Sequence, residues 1–286
     1  MSNRTWIPAV AAAFAGFVLA YWRVIDKLLY DWANDDNYSH GFFIVPLALY
    51  FAWERRDTVL AEPLKPSNLG LLAVVGSLGL LVIGTLGAEL FLARVSIVGL
   101  VAGITLYVGG WRHLRLLAFP IGFLLLMIPL PAIVFNEIAF PLQLLASRFG
   151  EWTLRAFSIP VLREGNLIIL ATTTLEVAEA CSGIRSLVSL LTLGIVLGYF
   201  SDSRLSMRVA IALCTIPVAI AANGIRVAGT GVAAAYVGAD AATGFLHTFS
   251  GWLVFVIAFV LLLAVQQALY RLFPLPPAAR TEAVPS

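Results

Sequence analysis

Three residues of this chain carry side chains suited to chemistry, and each stands within or beside an apolar stretch. Cys181 lies in the segment EACSGIR, Arg226 ends the segment NGIR, and His247 follows the segment GFL. A thiol, a base and a fixed cation are the nucleophile, proton carrier and oxyanion stabiliser of acyl transfer. The sequence therefore predicts cysteine-based acyl transfer, provided that the fold brings the three residues together.

The surroundings of Cys181 favour its ionised, nucleophilic form. A predicted membrane helix begins at Ser182, so the thiol stands at a helix N-terminus, whose dipole stabilises a thiolate. Arg185 follows four residues later on the same helix face, and a nearby cation acts in the same direction. The alternative is a small residue that only packs at a helix end. We give that interpretation to Cys214, which lies within the apolar run ALCT.

Arg226 is unusual because it interrupts a predicted membrane helix. An arginine at the centre of such a helix costs at least about 2.5–3.5 kcal/mol on insertion scales, so a functional role is the first hypothesis. Counted from Arg208, it lies roughly 27 Å along the helix, near the outer edge of a core of about 30 Å. Asn223 shares its helix face. The alternatives are an arginine that snorkels to the interface and one that pairs with Glu89.

His247 is one of three histidines and stands just before the last apolar stretch. A histidine beside a thiol acts as a general base or as an ion-pair partner. His40 is predicted at the outer start of the second span, and His113 is predicted to be a solvated residue of a basic turn. Alone, His247 fits an interface residue better than a catalyst, so its assignment depends on sharing a depth with Cys181 and Arg226.

The elements that position these residues are predicted to be membrane helices. The 286-residue chain is 60% hydrophobic and 12% charged, against about 25% charged residues in soluble domains. The apolar runs are long enough to span a bilayer, and we predict an all-α polytopic membrane protein with about eight transmembrane helices. The predicted spans are Trp6–Trp22, Gly41–Trp53, Leu69–Ala88, Phe91–Gly110, Leu114–Leu130, Ser182–Phe200, Val209–Val237 and Thr248–Phe273.

Basic residues predict the orientation of these spans, because Lys and Arg concentrate in cytoplasmic loops. They mark alternate loops, which places both termini in the cytoplasm and the three candidate residues near the outer face. We predict one integral membrane domain over residues 1–286 with a disordered tail over 274–286. A net charge of +2 does not indicate a nucleic-acid partner, and no cofactor or metal is predicted. The basic residues at the cytoplasmic ends are Arg4, Arg55, Arg56, Lys65, Arg112, Arg115, Arg204, Arg208, Arg271 and Arg280.

The longest segment outside the predicted spans covers residues 131–180 and is placed on the outer side. Its first part, Ile133–Phe157, interleaves charged and large apolar side chains and is predicted to be an amphipathic helix in the interface, broken or kinked at Pro141. Its second part is rich in β-branched residues and predicts a small hairpin with a third strand. The predicted strands are Val161–Arg163, Leu167–Leu170 and Thr172–Val177.

At these segments the chain resembles the exosortase/archaeosortase family. The resemblance runs from about Tyr30 to Phe273 and includes the segments NYSHGF, WERR, EACSGIR and NGIR and then His247. It implies a bacterial inner-membrane cysteine peptidase or transpeptidase. Such enzymes cut C-terminal sorting signals made of a short Pro-Glu-Pro-like motif, a transmembrane helix and a basic tail. Cys181 is then the nucleophile, and Arg226 and His247 complete the site.

The resemblance also implies the surroundings of the enzyme. Arg185 and Asn223 support a site on the periplasmic side, within the lipid bilayer, and the acceptor is water, an amine or a polysaccharide-linked group.

Three other classes of protein stay open: a transporter or channel in which Arg226 binds an anion, a scaffold for an envelope-polysaccharide machine, and an acyltransferase that uses a histidine without the thiol. A transporter predicts an inverted repeat, which we do not find, and a scaffold predicts that Cys181→Ala is silent.

Overall fold

The structure is a computed structural model, and it describes residues 6–171, 173–177, 183–238 and 244–274. Cys181 lies outside the described residues, as does the predicted tail after Pro274. Five described helices are long and apolar enough to cross a membrane, or six if one bent pair of helices is a single broken span. An all-α polytopic membrane protein is therefore confirmed as the fold class, and the count of eight spans stays a prediction. The chain divides into two compact units, Met1–Ala132 and Ile133–Ser286.

The described part of the first unit consists of helices. They are α1 (Trp6–Asn34), α2 (Gly41–Glu54), α3 (Arg56–Ala61), α4 (Asn68–Leu86), α5 (Leu90–Gly109), α6 (Trp111–Leu116), α7 (Ala118–Phe123) and a 3-10 helix (Leu124–Met127). Glycines let the backbones of α4 and α5 approach closely. A Cβ added at Gly70 would lie 2.1 Å from the backbone nitrogen of Tyr107, and one at Gly84 would lie 2.6 Å from that of Ala93. Such contacts are typical of membrane helix pairs, which depend on van der Waals packing.

The predicted fifth span, Leu114–Leu130, is wrong as a single helix, since the chain forms α6, α7 and the 3-10 helix there. Pro120 explains the break before α7, because it has no N–H to donate to the carbonyl four residues back, that of Leu116. The Arg55 guanidinium donates to this carbonyl at 2.7 Å. A side chain from a distant part of the unit thus satisfies the group that the proline leaves open.

His113 is buried rather than solvated, contrary to the prediction. Its Nδ1 lies 2.8 Å from the Gly109 carbonyl, so this nitrogen carries the proton and donates it. The ring lies so close to Gly109 that an added Cβ there would be 2.4 Å from Cγ of the histidine. The basic turn therefore folds back on the end of α5.

The second unit begins with α8 (Ala132–Ala156), continues with β1 (Val161–Glu164), β2 (Leu167–Leu170) and β3 (Thr174–Glu176), and ends with α9 (Ile184–Ser201), α10 (Leu205–Val237) and α11 (Gly244–Leu272). Glycines set the antiparallel register of α9 and α10. The facing pairs are Gly183–Asn223, Gly194–Thr215 and Gly198–Arg208. Because the pairs run in opposite directions along the chain, the N-terminal end of α9 lies level with Asn223.

The segment before α9 forms one long helix and a three-stranded sheet. α8 continues through Pro141, and the antiparallel sheet has the order β1-β2-β3. The Ser147 hydroxyl donates to the Gly165 carbonyl at 3.0 Å, and Arg163 of β1 pairs with Glu151 at 2.8 Å. These two contacts hold the β1–β2 turn on α8.

Asp202 holds the turn between α9 and α10. A hydrogen bond from Arg204, 2.8 Å from Nη2 to Oδ2, is the main reason why the pKa of the Asp202 carboxyl lies below its usual value, although burial acts in the opposite direction. The same Arg204 nitrogen donates to the Phe273 carbonyl at 3.1 Å. The turn thus ties the ends of α9, α10 and α11 together, at the end of α10 opposite Arg226.

Candidate active site

α10 carries Asn223 and Arg226 toward the predicted outer face. Its 33 residues form a helix of about 50 Å, longer than a hydrocarbon core of about 30 Å. Asn223 lies roughly 27 Å from the start of the helix at Leu205, and Arg226 nearly one turn further. The remaining turns of α10 pack against the sheet, since Val227 and Ile168 of β2 belong to one buried cluster.

Asn223 meets the N-terminal end of α9. Its buried side chain lies against Gly183, the residue before α9 begins, so that a Cβ added at Gly183 would be 2.7 Å from Cγ of Asn223. Gly183 also has φ +80° and ψ 0°, a left-handed backbone that residues with a Cβ rarely adopt. The left-handed backbone and the contact with Asn223 therefore both require glycine at position 183, two residues after Cys181 in the sequence.

Arg226 reaches the neighbouring helix α11. Its half-buried guanidinium lies beside Gly251, where an added Cβ would be 3.3 Å from Nη2. Gly251 comes one helical turn after His247, which belongs to the first turn of α11 and whose side chain lies outside the described part. The arginine of α10 thus occupies space that a glycine of α11 leaves open.

The structure brings three of the segments identified by sequence into contact. Arg185 occupies the first turn of α9, Asn223 and Arg226 share one face of α10, and α11 passes Arg226 at Gly251. The roles of Gly183 and Gly251 were not predicted from the sequence. The signal that could have identified them is their spacing, because each glycine lies within about one helical turn of a candidate residue, Gly183 after Cys181 and Gly251 after His247. Glycines in membrane helices often mark positions where two helices pack closely.

A cavity lies between the sheet and α10, next to Arg226. Its walls are mostly aliphatic, while Arg226, Thr230 and Glu176 contribute polar groups. Its volume is about 30 Å³, enough for a water-sized group or the tip of a short side chain. The lining residues are Ile168, Leu175, Glu176, Val177, Arg226, Val227 and Thr230.

The segment NYSHGF forms the turn between α1 and α2 in the first unit. His40 Nε2 lies 3.2 Å from the Leu126 carbonyl. Gly41 leaves room for the ring of Trp32, whose Nε1 donates to the Met127 carbonyl at 2.9 Å. These contacts satisfy carbonyl groups of the 3-10 helix. His40 and Gly41 therefore hold this turn against the 3-10 helix.

The first unit also contains a buried ion pair that was not predicted from the sequence. Arg94 of α5 is 3% exposed and pairs with Asp31 near the end of α1, which also binds Lys27 at 2.7 Å. The Asp31 carboxylate therefore has two cationic partners, one on its own helix and one on α5. An arginine inside an apolar run was the signal that could have identified the pair.

Gly183→Ala is expected to destabilise the protein by several kcal/mol. The left-handed φ costs about 1–2 kcal/mol for a residue with a Cβ, and overlap with Asn223 adds about 1–3 kcal/mol. The measurement is thermal unfolding of the purified protein in detergent. Gly165→Ala is the matched control, because Gly165 also has a positive φ, +62°, but has nothing within 4 Å of an added Cβ.

The steric part of this effect is isolated by the Asn223→Ala background, which removes the atoms that the new Cβ would meet. In that background Gly183→Ala should lower the unfolding temperature less than it does in the wild type. Equal losses in the two backgrounds, or equal losses for Gly183→Ala and Gly165→Ala, would show that the contact with Asn223 is not responsible.

A comparison with protein families identifies the family of the chain. The sequence model of the transmembrane exosortase family (Exosortase_EpsH) matches residues 32–264, a range that includes Cys181, Arg226 and His247. No curated protein and no solved structure matches the chain.

Proposed function

The chain belongs to the transmembrane exosortase family, and from this membership we propose that it is a membrane-embedded cysteine peptidase or transpeptidase. Its substrates are secreted envelope proteins that end in a sorting signal, and it cuts them at the outer face of the bacterial inner membrane. Cys181 is the nucleophile, and His247 and Arg226 complete the catalytic site.

The observation that carries this proposal is that Arg226 and Asn223 lie where three helices meet. α9, which follows Cys181 in the chain, contacts α10 at Asn223, and α11, which contains His247, contacts α10 at Arg226. Through these two residues, α10 contacts Gly183, two residues after Cys181, and Gly251, four residues after His247. Arg185, in the first turn of α9, and Asn223 are proposed to support the site.

In the proposed reaction the Cys181 thiolate attacks the carbonyl carbon of the scissile peptide bond. His247 takes the thiol proton and gives it to the amine nitrogen as the C–N bond breaks. The C-terminal fragment then leaves as an amine, and the other fragment stays as a thioester on Cys181. Water, or the amine of an acceptor, attacks the thioester and loses a proton as the thiol regains one. Arg226 stabilises the oxyanion in both steps.

The proposed topology is one integral membrane domain with eight spans and both termini in the cytoplasm. The five long apolar helices supply most of the spans, and α1, α2 and the segment from α6 to the 3-10 helix supply the others. The charge pattern supports this orientation, because Arg204 and Arg208 begin α10 at the end opposite Arg226. A substrate helix with a basic cytoplasmic tail would present its motif on the same outer side as Arg226.

Coexpression with a reporter tests the proposed function. The reporter is a secreted protein that ends in a Pro-Glu-Pro-like motif, a transmembrane helix and a basic tail, followed by an epitope tag. The chain is expected to shorten the reporter and to separate it from the tag, as measured by immunoblot of the membrane fraction. A reporter with the motif scrambled is the control and should stay intact. Full-length reporter in cells that contain the membrane-inserted chain would contradict the proposal.

A further inference from the structure

β3 forms the edge of the sheet that lies next to the candidate site. The sheet ends at β3, and no strand in the described part of the chain pairs with its far edge. Thr174 and Glu176 are exposed, and Leu175 between them is half-buried. An exposed strand edge is a template for pairing with another chain.

The hydrogen-bond register determines which backbone groups of β3 face this open edge. Val177 N donates to the Asn166 carbonyl at 3.0 Å, so Val177 bonds toward β2. Backbone groups alternate in direction along an antiparallel strand, so Leu175 also bonds toward β2. The N–H and C=O groups of Thr174 and Glu176 therefore point away from β2. These two residues are two positions apart, which is the spacing at which an added antiparallel strand forms its hydrogen bonds.

The side chains of an added strand would alternate between the two faces of the sheet. Residues directly opposite each other on neighbouring strands share a face. Leu175 and Val177 face the cluster that includes Val227 of α10. A residue paired with Leu175 would therefore direct its side chain toward α10, where the cavity is bordered by Arg226 and Thr230.

We propose that β3 binds the extended segment of the substrate as a fourth strand. Main-chain hydrogen bonds join this segment to Thr174 and Glu176, and one of its side chains enters the cavity beside Arg226. This inference rests on the proposed function for the identity of the substrate, and it adds the mode of recognition. Strand addition supplies affinity through the main chain and selectivity through pockets for alternate side chains.

The position of the cavity relative to the candidate site supports this occupant. Arg226 lines the cavity and is also the cation proposed to stabilise the oxyanion, so a peptide along β3 passes the proposed chemistry. The guanidinium and the Thr230 hydroxyl favour a short side chain that carries an oxygen acceptor. The cavity has a volume of about 30 Å³, so it accepts only the tip of that side chain, beside Leu175 and Val177.

Proline and alanine variants at the two outward-facing positions test the proposal. Proline at Thr174 or Glu176 removes an outward N–H and no hydrogen bond to β2, whereas alanine removes the same side chain and keeps the N–H. Each proline variant should have a KM for the reporter about 2- to 10-fold above that of the alanine variant at the same position. The larger part of the effect should lie in KM rather than kcat. Initial cleavage rates of the purified full chain in detergent, over a range of reporter concentrations, give both constants.

Hydrogen exchange provides a second measurement that needs no proline variant. Reporter bound to Cys181→Ala, which cannot cut it, should slow amide exchange in the peptide that contains β3 and leave exchange in β1 unchanged. If a proline variant unfolds at a much lower temperature than its alanine partner, the exchange experiment decides alone. Equal KM values for folded proline and alanine variants, or unchanged exchange in β3, would overturn strand addition.

The two proposals fail in different ways. If the reporter is cut only when Cys181 is present, but β3 gains no protection, strand addition is wrong and the proposed function stands. If the reporter protects β3 and the wild-type chain never cuts it, binding by β3 stands and the peptidase function is wrong.

Discussion

Cys181→Ala is expected to reduce cleavage of the reporter to the level seen without the chain. A hydrolase that loses its nucleophile loses up to about 10⁶-fold in rate, because no other group forms the covalent intermediate. Cys181→Ser should be nearly as inactive, since a hydroxyl is a much weaker nucleophile than a thiol at neutral pH. The measurement is the cleavage rate in membranes that contain equal amounts of each variant.

Cys214→Ala is the matched control, because Cys214 is the other cysteine of the chain and lies about 18 Å before Arg226 along α10. This variant should cleave at the wild-type rate. In intact spheroplasts, a membrane-impermeant thiol reagent should label Cys181 and spare Cys214. Cleavage that survives Cys181→Ala would exclude the cysteine mechanism, and labelling of Cys214 alone would overturn the topology.

Arg226→Ala is expected to lower kcat by about 10²–10³-fold, the loss measured when one oxyanion donor is removed. Arg226→Lys should recover only part of this loss, because an ammonium keeps the charge but lacks the planar fork of five donors. The measurement is kcat for the reporter with purified variants in detergent. Arg226 lies against α11 at Gly251, so the unfolding temperature of each variant is measured alongside.

Arg155→Ala is the control for the loss of one positive charge. Arg155 lies on α8 with its side chain 63% exposed, so this variant should keep the wild-type kcat. Unfolding temperatures separate lost chemistry from lost folding. If Arg226→Ala lowered only the unfolding temperature and kept the wild-type kcat, Arg226 would have a structural role and the oxyanion assignment would be wrong.

The long apolar helices could be predicted from the sequence to within a few residues. Leu69–Ala88 was predicted where α4 covers Asn68–Leu86, and Thr248–Phe273 where α11 covers Gly244–Leu272. A run of about 20 apolar residues in a bilayer must satisfy its own backbone groups, which leaves the helix as the one open-chain solution. Local sequence therefore determines this kind of element almost alone.

The short helices near the C-terminal end of the first unit could not be predicted in the same way. The Leu116 carbonyl, which Pro120 leaves without a helical donor, is bound by the Arg55 guanidinium from a distant part of the chain. His113 looked like a surface residue because its neighbours are basic, yet its proton goes to the Gly109 carbonyl. In both cases a specific hydrogen bond outweighs the local pattern, and hydropathy contains no information about hydrogen-bond partners.

The sequence by itself determined the membrane class, the family and the chemically distinctive residues, because each of these can be recognised from a short segment of chain. Arg226, for example, stands out because charged residues are rare in apolar runs long enough to span a membrane. Only the tertiary structure decided what lies beside them. Asn223 meets Gly183, forty residues away, and Arg226 meets Gly251. These contacts depend on where glycines let neighbouring helices approach, and that register is a property of helix pairs which no single helical pattern contains.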